Sequence, residues 1–387
     1  MPTCAEGVKK ATFFLFRIFE PWSQSATRKG GSLMGKMLNH VQQGQKVFVG
    51  LEDSKRSWKL CIRSEGMVVQ ELSMGARYED LRRFFEGQYP RCDIGVIYET
   101  GFRGFTLHDR LVADGYGCVV TPAHTVVDEK GNKVKCDKKD ARRLALNFEK
   151  GDYTKCDVPD EELRQDRQIS RTLIQIQKDI SRTKNRIRKF LDFHGYDEAF
   201  APGRWYQRDY HNLDPADLSE PLECCMDIYR EQLKMLLEMK RRLRRKLRAL
   251  SKKERYCKQY DIFRSAPGVG WFTAIRLVLE WGDDLSRFQT AKQFAGFTGL
   301  TGSEFSTGET VRRGHINRQG RPHVRAWLVE CAWTAYKRDP VLLKKYQAVY
   351  RSSGSAKKAI VAVAHKLAVR LRAIAIRGET YQIGLIQ

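Results

Sequence analysis

The chain has 387 residues, 42% of them hydrophobic, which is enough for two or three domains with apolar cores. Lys and Arg number 70 against 46 Asp and Glu, a formal net charge of +24, so the expected partner is a polyanion, most simply nucleic acid. No segment resembles an apolar span of about 18 residues or a basic amphipathic anchor, which argues against a membrane partner. The ten cysteines contain no CxxC pair, which favours reduced cytosolic thiols over a zinc site or a disulfide framework.

Residues 1–45 precede the first regular pattern and are predicted to form a poorly ordered extension. The run from Ala11 to Phe19 is apolar and aromatic, and a signal peptide is one interpretation of it. However, Arg17 and Glu20 interrupt the run, and no convincing cleavage site of small residues follows.

The segment 46–157 alternates short apolar runs with helical patterns. Strands are predicted at Val47–Leu51, Trp58–Ile62, Asp93–Tyr98 and Cys118–Val120, and helices at Tyr78–Phe85 and Phe105–Ala113. Strands that are apolar throughout, rather than on alternate residues, are typical of a sheet covered on both faces. The segment is therefore predicted to be an α/β domain.

Asp137 and Asp140 stand three residues apart where an apolar helical pattern begins. At this spacing both carboxylates lie on one face of the first helical turn. A bound cation would hold such a pair together against its mutual repulsion, whereas the alternative is an ordinary first turn in which the helix dipole favours acids. Two more acids, Glu52 and Glu99, stand at the ends of predicted strands, and they favour the cation.

The segment 158–260 is predicted to be helical and strongly basic. Two heptad-like apolar runs, one ending at Phe190 and one at Leu250, indicate a helical hairpin or an intermolecular coiled coil. From Ile228 to Lys258, here called the basic stalk, there are thirteen Lys or Arg and three Glu. A solvated helix face is one explanation, but this excess favours contact with phosphates. The predicted phosphate contacts are Arg241, Arg242, Arg244, Arg245 and Lys246.

The segment 261–387 is predicted to be mainly helical. Ser265–Gly270 resembles the turn of a helix-hairpin-helix element, in which the backbone N–H groups near Gly268 and Gly270 would face a phosphate; the alternative is an ordinary Pro-Gly turn. Further on, two hydroxyl residues precede a glycine and a series of arginines, a composition that suits a loop against a phosphodiester. The residues concerned are Ser306, Thr307, Arg312, Arg313 and Arg318, followed by Arg325 in the next helix.

These motifs, in this order, resemble the DEDD transposases of the insertion sequence 110 family, including the related insertion sequence 1111 group, which are recombinases directed by a bridge RNA. Val49–Lys55 resembles the family's first strand motif, Glu99–Gly101 its second and Asp137–Ala141 its third. The segments Ser265–Gly270, Gly299–Gly320 and Arg325–Trp333 resemble its C-terminal transposase domain. The resemblance extends from about Lys46 to Tyr381, nearly the whole chain.

The resemblance implies a RuvC-like (RNase H-like) N-terminal domain in which Glu52, Glu99, Asp137 and Asp140 hold Mg²⁺ or Mn²⁺. It also implies that a C-terminal hydroxyl attacks the DNA backbone and forms a covalent intermediate. The implied partners are double-stranded donor and target DNA, a structured guide RNA and further copies of the chain, as a dimer and as a tetramer in synapsis. The implied location is the bacterial cytosol.

The chain departs from the family pattern at two positions. Glu52 stands where family members have Asp, and Thr307 stands where they have the nucleophilic Ser, with Ser306 one residue earlier. The position directly before the glycine favours Thr307 as the nucleophile. Intrinsic reactivity favours Ser306, because the β-branched side chain of Thr is stiffer and more crowded. Two alternative functions follow: a nucleic-acid-binding relative with impaired catalysis, and a metal-dependent nuclease selective for DNA junctions.

Overall fold

The computed structural model describes residues 42–122, 136–196, 218–307, 310–316 and 320–385, without the side chains of 304–307 and 311–313. The predicted extension, apart from residues 42–45, lies outside this range. The chain divides into two compact units, residues 1–158 and 159–387. Within the described residues, no helix is long and apolar enough to cross a membrane.

The first unit is built on a five-stranded mixed sheet. Its strands are β1 (Lys46–Asp53), β2 (Ser57–Ser64), β3 (Met67–Gly75), β4 (Asp93–Glu99) and β5 (Gly117–Thr121). They lie in the order β3-β2-β1-β4-β5. Strand β2 runs antiparallel to both β3 and β1, whereas β4 runs parallel to both β1 and β5. This arrangement, with helices on both faces, confirms the predicted α/β sheet and is consistent with a RuvC-like domain.

Three helices cover the sheet: α1 (Tyr78–Gln88), α2 (Thr106–Ala113) and α3 (Asp137–Lys150). On one face, buried residues of α1 and α2 such as Leu81 and Leu111 pack against Val49 and Val96. On the other face, α3 packs against β1, β2 and β4. The predicted strands and helices of this unit are all present, but β3 was not predicted.

Two glycines allow α3 to approach the sheet closely. A Cβ added at Gly50 would lie 3.0 Å from Ala145 Cα and closer still to Ala141 O and Ala145 N. A Cβ at Gly95 would lie 2.8 Å from the Phe148 ring. Because real Cβ atoms essentially never approach other atoms so closely, Gly50 and Gly95 set the distance between helix and sheet.

The second unit begins with two long helices, α4 (Glu161–Phe193) and α5 (Glu220–Leu250). They pack against each other through buried residues that include Ile187 and Leu233. Of the two arrangements left open by the sequence, the structure therefore shows helices paired within one chain. The remaining helices are α6 (Glu254–Arg264), α7 (Trp271–Trp281), α8 (Ala291–Thr298), α9 (Pro322–Arg338), α10 (Pro340–Ser353) and α11 (Ala356–Arg377).

A β-hairpin interrupts these helices. Its strands, β6 (Gly302–Thr307) and β7 (Thr310–Ile316), pair antiparallel. The prediction of a loop at this position was wrong. The segment carries Phe, Thr and Val among its glycines and arginines, and β-branched and aromatic residues favour extended backbone.

Candidate functional site: a carboxylate-rich sheet edge and a hydroxyl-bearing hairpin

Glu52 and Glu99 stand side by side at the carboxyl ends of two parallel strands. The pairing of β1 with β4 runs from Lys46 opposite Asp93 to Leu51 opposite Tyr98, so the next step of this register places Glu52 beside Glu99. Residues paired in register project from the same face of a sheet. The Phe48 ring, two positions before Gly50 on β1, contacts Phe148 of α3, so this is the face that α3 covers.

The third and fourth acids reach the same edge of the sheet because α3 runs opposite to β1. Its later residue Phe148 lies beside Phe48 near the start of β1, whereas Ala141 lies beside Gly50. The first turn of α3, with Asp137 and Asp140, therefore lies toward the strand ends that carry Glu52 and Glu99. The same turn is where a helix dipole favours acids, so this position does not decide between a bound cation and an ordinary first turn.

Arg143 forms ion pairs with one acid from the sheet and one from α3. Its Nη2 lies 3.2 Å from Glu99 Oε1 and 3.3 Å from Asp140 Oδ1. About a fifth of each of these side chains is exposed, so solvent screens the ion pairs only in part. The sequence interpretation missed this residue. The available signal was its spacing, since Arg143 follows Asp140 by three positions and so shares its helix face.

Asp53, the neighbour of Glu52, belongs to the opposite face. Its carboxylate accepts a hydrogen bond of 2.7 Å from Trp58 Nε1 and lies 2.9 Å from Arg103 Nε. Only 5% of the Asp53 side chain is exposed. These two partners occupy Asp53, so it does not join the group formed by Glu52 and Glu99.

The donor chemistry of this edge fits a hard divalent cation. All four candidate ligands are carboxylates, and Mg²⁺ and Mn²⁺ prefer oxygen ligands. Across the described ranges, no three His, Cys, Asp or Glu side chains are arranged as a ready-made metal site, and Arg143 lies between two of the acids. The residues therefore fit the ion chemically, while their carboxylates are partly neutralised by a protein cation.

The hydroxyl residues lie at the end of the hairpin in the second unit. Ser306 pairs with Val311 and Thr307 with Thr310 across the two strands. Arg312 and Arg313 follow on β7, opposite Phe305 and Glu304. Gly308 and Arg318 lie outside the described residues.

Close backbone packing fixes the base of the hairpin. A Cβ at Gly299 would lie 2.9 Å from Gly320 N, so the segments entering and leaving the hairpin touch there. Arg325, in the first turn of α9, donates a hydrogen bond of 3.4 Å to the Gly299 carbonyl. Arg325 therefore has a structural contact, and its contact with nucleic acid stays a prediction.

The segment that was compared with the turn of a helix-hairpin-helix element connects α6 to α7, with Gly268 at φ +82°. A Cβ at Gly268 would lie 3.2 Å from Ala335 N of α9, so this glycine serves close packing within the unit. Around Gly270, by contrast, an added Cβ would meet nothing within 4 Å. Of the two glycines, Gly270 is the better placed for the predicted phosphate contact.

The basic stalk presents most of its predicted contacts to solvent. Arg242 and Lys246 are exposed, whereas Arg241 and Arg245 both contact Glu238, at 2.5 and 3.4 Å. Arg244 is half-buried and lies over the rings of Trp271 and Phe272, at 5.3 and 4.5 Å from their centroids. Arg244 therefore has an intramolecular role that the charge count did not reveal.

Glu280 is a buried acid that the sequence interpretation also missed. Its fully buried side chain accepts hydrogen bonds of 3.1 and 3.2 Å from Arg171, and it contacts Arg321 and His323. Burial alone would raise the pKa of Glu280, but His323 and the two guanidinium groups hold that pKa well below its usual range. Glu280 thus joins α4, α7 and the start of α9, just beyond the hairpin.

Comparisons with known proteins match both units to transposases. A family model for DEDD transposases, described as a transposase, matches residues 49–195, and one described as Transposase IS116/IS110/IS902 family matches residues 260–347. Two Sinorhizobium fredii proteins with provisional transposase designations are similar: y4qE, 27% identical across 88% of this chain and 84% of its own, and y4rJ, 25% identical across 84% and 90%. The transposase for insertion sequence element IS1533 of Leptospira borgpetersenii is 23% identical across 62% of this chain and 70% of its own.

Proposed function

Because the chain belongs to the IS110 family of DEDD transposases, we propose that it is an RNA-guided DNA recombinase that exchanges strands through a covalent protein–DNA intermediate. One observation carries the catalytic part of this proposal. The close packing of α3 on β1 brings Asp137 and Asp140 toward the strand ends that carry Glu52 and Glu99. Four acids from three separate segments thereby share one edge of a sheet.

In this proposal the four carboxylates hold Mg²⁺ or Mn²⁺, which would supply Lewis-acid stabilisation of a phosphoryl oxygen. Glu52 and Glu99 contribute from the sheet, and Asp137 and Asp140 from the helix. Arg143 keeps Glu99 and Asp140 near each other in the absence of the ion, because one guanidinium contacts both. The residues of the protein thus position the acids before DNA arrives.

The covalent step belongs to the hairpin. The hydroxyl oxygen of Ser306 or Thr307 attacks a DNA phosphorus, one P–O bond forms, one P–O bond to a deoxyribose oxygen breaks, and the hydroxyl proton is transferred to the departing oxygen. The reverse reaction, with the hydroxyl of a second DNA strand as nucleophile, rejoins the DNA. Each bond broken is replaced by one of the same kind, so no ATP is needed. Arg312 and Arg313 on β7 carry the charge suited to the developing phosphoryl anion.

The proposed partners are double-stranded donor and target DNA, a structured guide RNA and further copies of the chain, in the bacterial cytosol. The net charge of +24 and the basic stalk support polyanion binding. Sequence choice would lie in base pairing with the guide, which leaves shape and phosphates for the protein to recognise. Sequencing of RNA that co-purifies with the protein tests the guide directly.

The covalent step is tested with a suicide DNA substrate, in the presence of Mg²⁺ and the co-purified RNA. The expected product is a protein–DNA adduct whose modified peptide contains Ser306 or Thr307. Ser306→Ala and Thr307→Ala, tested singly, identify which hydroxyl is required. Adduct formation by both single variants would mean that neither hydroxyl alone is required, so that the assignment to this hairpin is wrong or the two hydroxyls are redundant.

The metal role is tested with Asp137→Ala, which should abolish strand exchange while RNA binding is kept. Glu79→Ala is the matched control, because Glu79 is an exposed acid in the first turn of α1. Loss of exchange in Asp137→Ala but not in Glu79→Ala supports the carboxylate site. Full recombination by Asp137→Ala would refute it.

A second candidate, a nucleic-acid-binding relative with impaired catalysis, is favoured by Glu52 and Thr307, which replace the family's Asp and Ser. It predicts that the parent protein binds RNA and DNA yet forms no adduct. In that case Thr307→Ser should restore adduct formation, since the smaller hydroxyl residue removes the crowding of the β-branch. Cleavage of DNA junctions without any adduct would instead indicate the nuclease alternative.

A further inference from the structure

An exposed aromatic ring stands beside the carboxylate edge of the sheet. Phe102 is 58% exposed and lies three residues after Glu99. Three residues span at most about 10 Å, so the backbone of Phe102 lies within that distance of the backbone of Glu99. Single exposed apolar side chains are common on protein surfaces, so the meaning of this one depends on its neighbours.

The loop that carries Phe102 is held in place by contacts of the next residue, Arg103. Arg103 lies 2.9 Å from the buried carboxylate of Asp53, and its guanidinium donates hydrogen bonds of 3.4 and 3.0 Å to the carbonyl oxygens of Ser54 and Lys55. These contacts tie the loop after β4 to the loop after β1. These contacts hold the backbone of the loop at Arg103 in place before any ligand binds, which lowers the entropy cost of ordering the loop on binding.

Two cations lie against the ring. The Lys55 ammonium is 5.9 Å from the ring centroid and the Arg103 guanidinium is 5.2 Å from it. Lys55 is itself exposed, and so is its neighbour Arg56. We call Phe102, Lys55 and Arg103 the aromatic shelf. A largely exposed aromatic ring with two cations beside it matches a base and its phosphate, since proteins that bind single strands combine these two features.

We propose that the aromatic shelf stacks an unpaired DNA base next to the phosphate that faces the carboxylate edge. This inference rests on the proposed function for the choice of DNA. The shelf is built from the two loops that directly follow Glu52 and Glu99, so a base on Phe102 belongs to a nucleotide near the one whose phosphate reaches those acids. Stacking tolerates any base, which suits a protein whose sequence choice is delegated to a guide.

The test uses DNA with a short single-stranded segment that contains the photoreactive base 4-thiothymidine. The full-length protein is irradiated with this DNA in EDTA, so that no strand cleavage occurs, and the cross-linked peptide is identified by mass spectrometry. A cross-link within residues 99–104 is expected. Phe102→Leu keeps an apolar side chain but removes the ring, so the yield there should fall about tenfold, given that stacking contributes about 1–3 kcal/mol. Phe102→Trp should keep the yield.

Two control variants test whether the cross-link depends on the Phe102 ring itself or on any exposed apolar residue, and on the Lys55 ammonium itself or on any positive charge. Val112→Ala changes another exposed apolar residue, 50% exposed on α2, and should leave the cross-link unchanged. Lys55→Ala should lower the yield about threefold at physiological salt. Lys46→Ala removes the same charge from an exposed position at the opposite end of β1 and should have no effect.

Three results would overturn the shelf. They are an unchanged cross-link in Phe102→Leu, equal losses in Lys55→Ala and Lys46→Ala, and cross-linking to an RNA of the same design but not to DNA. The outcome is independent of the covalent step. Adduct formation without a cross-link at 99–104 refutes the shelf alone, whereas a cross-link that depends on Phe102, without any adduct, supports the shelf and refutes the recombinase.

Discussion

Gly50→Ala should separate α3 from the sheet and thereby disturb the carboxylate edge. The added Cβ would lie 3.0 Å from Ala145 Cα and closer to Ala141 O and Ala145 N, where ordinary contacts measure 3.4 to 4 Å. The obstacles are helix backbone atoms, which cannot move aside by adopting another rotamer. The helix must therefore shift by about 1 Å, and the cost should lie at the upper end of overpacking, about 3 kcal/mol.

Hydrogen exchange followed by mass spectrometry measures this cost locally in the full-length protein. A loss of about 3 kcal/mol corresponds to roughly 100-fold faster exchange of the amides in α3 and β1. Gly87→Ala is the matched control, because Gly87 is an exposed position of α1 where a Cβ meets nothing within 4 Å. That change should stabilise the helix by about 0.5 kcal/mol. Unchanged protection of α3 in Gly50→Ala would refute the packing on which the site depends.

Three further predictions concern the second unit. Glu280→Gln should lower the free energy of unfolding of this unit by about 2 kcal/mol, because it removes the buried counter-charge of the partly exposed Arg171 and Arg321; an unchanged urea midpoint would contradict this. Burial, with a smaller contribution from Lys345, lowers the pKa of His365 below its usual value. Just below pH 6.5 the unfolded chain therefore binds this proton more readily than the folded chain, and the free energy of unfolding should decrease as the pH is lowered. His365→Gln should reduce this dependence on pH, and an identical dependence in the variant would count against the assignment. The logarithm of the DNA dissociation constant should rise steeply with the logarithm of salt concentration, and the double change of Arg242 and Lys246 to Ala should reduce the slope by about 2; anisotropy titrations that show an unchanged slope would make the basic stalk only a solvated face.

The parts of the fold that the sequence predicted are those whose burial is uniform. Strands β1, β4 and β5 are apolar along most of their length because helices cover both faces, and such runs are recognisable without their partners. Strand β3 was missed because it is an edge strand with alternating exposure, and Gln70, Glu71 and Ser73 dilute its apolar pattern. The β6–β7 hairpin was missed because its glycines and arginines resemble a loop in composition.

The sequence alone suggested the four acids as candidates, but it did not predict how they are arranged relative to each other. The spacing of Asp137 and Asp140 predicts that their carboxylates share one helix face. Whether that face lies toward Glu52 depends on the direction in which α3 crosses the sheet. Arg143 becomes significant only once that direction is known, since its partner Glu99 is remote in sequence. The role of Glu280 likewise depends on two cations that are remote in sequence, Arg171 of α4 and Arg321 just before α9. A single sequence encodes such contacts only through the fold.

The structure also limits the ways in which the site can accommodate Glu52 at the position where family members have Asp. Asp53 cannot replace Glu52, because its carboxylate lies on the opposite face and is bound to Trp58 and Arg103. The backbone offers little adjustment, since β1 is held between β2 and β4, and Gly50 fixes how closely α3 approaches. The extra methylene of Glu52 must therefore be accommodated by the torsions of its own side chain, which has one more rotatable bond than Asp. Any adaptation of this site to Glu52 therefore lies in that side chain, and not in a shift of the strand or the helix.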